Sequence, residues 1–163
     1  NREIQLVYNK EILQKFSQIV PLGASISIQE ALYTGNPSLL KEELRKLLLE
    51  SVSCYDTVGE NFYHGLLLGL CAALSDQYYV TSNRESGYGR YDIQLMPKNK
   101  RFPGILIELK ARKNRSELEF FASEALRQIK DMNYDAEMKA KGITNICKYG
   151  VAFCGKDVEI CME

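Results

Sequence analysis

The 163-residue sequence has one histidine, no CxxC pair, no GxxxxGK[ST] segment, no long apolar run and no net charge. Each absence closes a class. One imidazole, His64, with no nucleophile motif beside it does not build a serine-hydrolase or cysteine-protease triad, and a site of several metal-bound histidines is out of reach. Without the phosphate-cradling glycine loop, the chain carries no P-loop of its own. No stretch approaches about 18 apolar residues, so no transmembrane helix and no membrane partner are expected. The most apolar stretch, LLLGLCAAL (66–74), has the length of a core helix. The five cysteines (54, 71, 147, 154 and 161) are odd in number and lie in largely apolar contexts. They are expected as buried free thiols of a reducing cytoplasm, not zinc ligands or disulfides. No secretory leader pattern opens the chain, and its first residues, NREIQ, are expected of a piece of a longer protein.

What is present is the composition of a globular domain, 45% hydrophobic and 26% charged. Ile12, Phe16 and Ile19 stand at helical spacing over 8–20, with Pro21 and Gly23 closing that segment. A short helix is expected over 27–33, ending at Gly35. A third opens at Pro37, with Leu40, Leu44, Leu47 and Leu48 in one stripe. This gives a helical extension over 1–55, expected to bury little area, and a main domain over 56–163. In the latter, a largely apolar helix precedes strand-like YYVTS (78–82), the glycine turn NRESGYG, and the strand-like runs RYDIQLM and GILIELKA. SELEFFASEALRQI (116–129) reads as a Ser-capped amphipathic helix with Leu118, Phe121, Ala122, Ala125, Leu126 and Ile129 on one face. A second short helix around 134–140 and two final strands complete an α/β fold with a mixed sheet.

Charges interrupt the two central strands. Side chains alternate faces with period two, so Asp92 lies with Arg90 and Gln94, and Glu108 with Leu106 and Lys110. If the two runs are neighbours joined by the loop 97–103, Asp92, Glu108 and Lys110 converge. Buried charges need partners, which leaves two readings: a structural ion-pair triad, or a site for a metal ion and a substrate. Two carboxylates, with the backbone carbonyl of Leu109, suit Mg²⁺ or Mn²⁺ completed by water and phosphate oxygens. Lys110 then sits where it can orient the nucleophile and offset charge. Residues 97–115 hold Lys98, Lys100, Arg101, Lys110, Arg112, Lys113 and Arg115 against the single acid Glu108. That excess suits a local phosphate-binding surface, or equally a strand edge protected by lysines.

The order Asp-x15-Glu-x-Lys, with ENFYHGLLLGL before it and ALRQI after it, resembles the PD-(D/E)XK nuclease superfamily over roughly residues 53–163. In particular it looks like the nuclease-like domain found C-terminal to AAA-type ATPase modules in many anaerobic bacteria. The resemblance implies a restriction-endonuclease-like fold, metal-dependent hydrolysis of DNA, and a cytoplasmic chain with an ATPase-like domain as N-terminal partner. It implies that Asp92 and Glu108 bind metal, Lys110 is catalytic, and the helix acid Glu60 is a further metal ligand or water-mediated contact. It also implies that Gln128 supports the site, with Tyr134 in the same region. Arg84, in the turn before Asp92, becomes a candidate phosphate contact, and Lys98, Lys100, Arg101, Arg112 and Lys113 candidate backbone contacts. The superfamily's first-motif proline is Tyr91 here, a departure that leaves the carboxylate in place. A nuclease-fold module that binds nucleic acid or regulates the ATPase with little activity is the alternative.

Overall fold

In the computed structural model, which describes residues 22–51, 59–83, 85–87, 89–90 and 92–163, local chemistry sets the element ends. Helix α1 (Leu22–Thr34) stops at Gly35, whose φ of +68° is the left-handed geometry glycine accepts at a helix end. Asn36 then caps α2 (Pro37–Ser51), its Oδ1 accepting the Leu39 amide at 3.1 Å. Helix α1 is longer than the expected 27–33, and Gly23 lies inside it rather than closing a preceding segment. The expected helix over 8–20 lies outside the described residues. Next come α3 (Glu60–Ala72), β1 (Tyr78–Ser82), the short ribbon β2 (Glu85–Ser86) and β3 (Gly89–Arg90), then β4 (Ile93–Pro97) and β5 (Gly104–Ala111). A 3₁₀ turn (Arg115–Glu117), α4 (Leu118–Asp131) and α5 (Ala136–Ala140) lead to β6 (Ile146–Cys154) and β7 (Asp157–Met162). The cap before α4 is Asn114, not the expected Ser116: its Oδ1 accepts the Ser116 amide at 3.1 Å and so opens the 3₁₀ turn first.

The main sheet runs in the order β1-β4-β5-β6-β7. Only β5 and β6 are parallel, as the intervening α4–α5 crossover requires; the other neighbours are antiparallel. This is the α/β fold with a mixed sheet that the sequence implies. Period-two alternation sorts the side chains onto two faces. Ile93, Leu95, Ile105, Ile107, Leu109, Tyr149, Val151 and Phe153 join one core with α1, α2 and α3. Met96 and Leu106 pack on the other face with Ile129, Tyr134 and Met138.

The described lead-in helices bury more than expected. Ile28, Leu32, Leu40, Leu44, Leu47 and Leu48 all belong to the main core, because the leucine stripe of α2 closes onto the sheet. Tyr149 Oη ties α1 down by donating to the carbonyl of Leu32 at 2.7 Å, and Lys41 bridges α2 to Glu159 of β7 at 2.9 Å. Tyr63 of α3 stacks on Phe153 at 4.3 Å and donates to the Gly155 carbonyl at 2.8 Å. Cys71, Cys147, Cys154 and Cys161 are free thiols, while Cys54 lies outside the described residues. No described helix is long and apolar enough to cross a membrane.

One glycine governs how α4 meets the sheet. A Cβ on Gly150 would stand 2.2 Å from the Ala122 carbonyl oxygen and 2.5 Å from the Leu126 nitrogen, both backbone atoms of α4. Gly150→Ala is therefore expected to lower stability by about 1–3 kcal/mol, the range for overpacking, read as a lower urea midpoint. Gly65→Ala, inside α3 with nothing within 4 Å of the added carbon, is the contrast and should hold or raise the midpoint.

Candidate active site

Strand register brings the central charges together. In the β4–β5 ladder Ile93 pairs with Ile107 and Leu95 with Ile105, so the next step places Asp92 opposite Glu108 on the same face. Directly opposed residues have Cβ atoms about 5 Å apart. Asp92 Oδ2 accepts the Leu109 amide at 2.9 Å, which fixes the carboxylate at the end of the ladder. The amides of Gly104 and Arg112 donate to the β6 side, so the backbone of Leu109, odd-numbered between them, faces the β4 side. A strand residue's N–H and C=O point to the same neighbour, and the Leu109 carbonyl therefore lies on the β4 side.

Glu108 is 3% exposed, and its Oε2 is buried with no hydrogen-bond partner. Its Oε1 lies 3.6 Å from Lys110 Nζ. Burial, reinforced by the charge of Asp92 and only partly offset by Lys110, pushes the Glu108 carboxyl up from 4.5 to about 8. Asp135, equally buried, behaves in the opposite way. Burial opposes its ionisation too, yet Lys139 at 2.9 Å and Lys148 at 3.0 Å hold its carboxyl below the ordinary range. The fold thus completes one buried ion-pair cluster and leaves the other short of positive charge.

Lys110 is held from the far side. Its Nζ donates to Gln128 Oε1 at 2.9 Å, and Gln128 Nε2 donates to the Tyr134 hydroxyl at 3.1 Å. Tyr134 is buried under the β2–β3 ribbon: a Cβ on Gly89 would meet its hydroxyl at 3.1 Å, and Gly87, at φ +58°, turns against the carbonyls of Met132 and Asn133. From the other side, His64 Nε2 lies 3.3 Å from the Asp92 carbonyl oxygen, which also accepts the Asn83 amide at 3.1 Å.

The remaining sequence candidates separate. Glu60 opens α3, exposed, one turn before His64 and on its face. Among the described residues no group of three or more His, Cys, Asp or Glu gathers, so Glu60 does not form a cluster with Asp92 and Glu108. Lys98, Lys100 and Arg101 lie on the loop at the opposite end of the β4–β5 hairpin, about 13 Å or more from Glu108 at the rise of a strand. A hairpin's connecting loop lies away from its outer ends, so these three could meet a nucleic-acid backbone only at a distance from the opposed carboxylates. Lys98 donates to the Ser75 carbonyl at 2.8 Å and sits over the Tyr79 ring. Arg112, just past β5, lies 3.8 Å over the Phe121 ring, and Lys113 is exposed beside it. Arg84 lies outside the described residues. Sequence reasoning passed over Gln94, 3% exposed with Oε1 unpartnered on the Asp92 face. A polar side chain inside an otherwise apolar strand was the available signal.

A five-stranded mixed sheet flanked by helices, with opposed carboxylates and a lysine where β4 begins against β5, defines a restriction-endonuclease-like α/β domain. The model of the PD-(D/E)XK nuclease superfamily matches residues 58–163, and the chain belongs to that superfamily. No curated protein matches it. Such nucleases generally use divalent metal ions. The residues present fit one: two carboxylates and a carbonyl are hard oxygen donors, and the orphaned Glu108 Oε2 needs the positive charge an ion brings.

A carboxyl raised to about 8 binds a proton in the native state that the unfolded chain has lost above about 4.5. In metal-free protein stability therefore falls as pH rises across that window. Glu108→Gln removes this term. Its thermal midpoint should match wild type most closely near pH 4.5 and exceed it increasingly toward pH 8; a constant difference across the window would show that Glu108 holds no extra proton.

Proposed function

We propose that the domain hydrolyses DNA phosphodiester bonds in a reaction dependent on Mg²⁺ or Mn²⁺. The observation that carries this reading is the opposed Asp92–Glu108 pair, with one buried carboxylate oxygen left unpartnered beside a tethered lysine. Asp92, Glu108 and the Leu109 carbonyl would hold the ion, which, when bound, supplies Lewis-acid polarisation of the phosphodiester and the attacking water. Lys110, set between Glu108 and Gln128, orients the nucleophile and faces the negative charge that develops on the phosphoryl oxygens. Gln128 positions Lys110 and is in turn braced by Tyr134. Glu60, on the His64 face of α3, serves the site from outside the ligand set. Arg112 and Lys113 are the backbone contacts nearest the chemistry; such contacts fix register without reading sequence.

A second reading draws support from the zero net charge and from the distance of Lys98, Lys100 and Arg101 from the site. A domain with so little basic surface binds DNA weakly alone, and suits a module that acts with, or regulates, an ATPase-like partner on the same chain.

Calorimetric titration of Mn²⁺ into wild type, Asp92→Ala and Lys110→Ala, with cleavage of plasmid and branched DNA in the same buffers, separates the readings. Binding should be lost in Asp92→Ala and kept in Lys110→Ala, with cleavage reduced about 10²-fold or more in both. Binding should also tighten as pH rises through about 8, because the Glu108 proton competes with the ion. Metal binding without cleavage favours the partner-dependent module; no binding to wild type leaves the cluster structural.

A further inference from the structure

The Lys110–Gln128 bridge is one end of an open groove of about 380 Å³ that continues along α4 past Arg112, Phe120, Phe121 and Arg127. Phe120 is 61% exposed, more than most large apolar side chains on this surface. Its ring meets Phe121 edge-to-face at 5.1 Å, a contact that leaves most of the ring free. Phe121 in turn carries the Arg112 guanidinium at 3.8 Å. One exposed aromatic alone needs no explanation. An exposed ring, a cation-stacked ring and a second arginine, continuous with the proposed catalytic lysine, form a patterned surface.

We propose that this groove binds single-stranded nucleic acid, with an unpaired base stacked on Phe120 and the backbone passing Arg112 and Arg127 on its way to Lys110. The proposal rests on the hydrolytic reading and names its substrate class: a single strand, or the frayed strand of a branched or broken duplex. Aromatic platforms interleaved with cations are the physical basis of single-strand binding. A closed duplex hides its base faces and offers only phosphates. The groove is a poor site for phosphates alone, because Glu124 and Asp131 also line it and Arg127 is paired with Glu124. Stacking therefore has to supply the affinity, and stacking is open only to unpaired bases.

The test uses fluorescence anisotropy of labelled dT20 and of a 20-base-pair duplex with the 163-residue protein in EDTA, so that neither metal nor cleavage enters. Wild type should bind dT20 more tightly than the duplex. Phe120→Ala, at an exposed position, should weaken dT20 binding about tenfold and leave duplex binding and the thermal midpoint unchanged. The chain contains no tryptophan, so Phe120→Trp introduces a single indole whose emission should be quenched by dT20. Equal affinity of wild type and Phe120→Ala for dT20, a preference for the duplex, or no binding of either overturns the proposal. Phe120-dependent binding of dT20 by a protein that neither takes up Mn²⁺ nor cleaves would retain the groove and remove the hydrolytic reading. Mn²⁺ uptake and DNA cleavage by a protein whose dT20 binding is the same with and without the Phe120 ring would do the reverse.

Discussion

The absence of a side chain at Gly150 sets the distance between α4 and the sheet, and much else follows from that distance. Gly150 is the parallel partner of Glu108, so the bare backbone lies beside the buried carboxylate. There the main chain of α4 descends to a spacing that even a methyl group would forbid. Two residues past the contact at Leu126 stands Gln128, whose short amide reaches Lys110 only because the helix is so close. The lysine's position is thus decided by a residue that never touches it.

The two buried carboxylates on this face show where the fold accepts an electrostatic cost. Around Asp135 two lysines complete the cluster, and burial is compatible with charge. Around Glu108 the one lysine is shared with Gln128, a second acid stands opposite, and an oxygen is left without a donor. A second positive group would have settled the site as a structural ion-pair cluster. Local inconsistency of this kind concentrates where a protein meets a ligand.

Much of this was legible in the sequence because strands have a strict period. Alternation put each acid on the charged face of its own strand, their convergence hung on the two runs being neighbours, and the register does oppose them. The amphipathic face of α4 was legible too: Leu118, Ala122, Ala125 and Ile129 are buried. Helix ends were harder. Ser116 and Asn114 are both good caps, and the 3₁₀ turn that decides between them depends on how the chain leaves β5. The excess of charge in the loop 97–103 was legible, but its separation from Glu108 follows only from the hairpin geometry. The helical period already leaves Phe120 off the apolar face, and it is exposed; the groove it borders depends on how α4 lies against the sheet and is not legible in the sequence. No sequence pattern announces Gly150, since its role lies in what approaches it.

The parallel pairing of β5 with β6 has a consequence for how the site comes together. Asp92 and Glu108 meet across one hairpin, whereas Lys110 finds Gln128 only after the helical crossover has folded back onto the sheet. The two closures are of similar length, 17 residues between Asp92 and Leu109 and 18 between Lys110 and Gln128, so loop entropy hardly separates them; the difference is that the first is held by strand pairing and the second by helix docking. The oxygen-rich half of the site is therefore set within the sheet, and the half that steers the lysine is contingent on docking of the crossover. A loosening of α4 would separate the two, leaving a cation-binding hairpin with its lysine untethered.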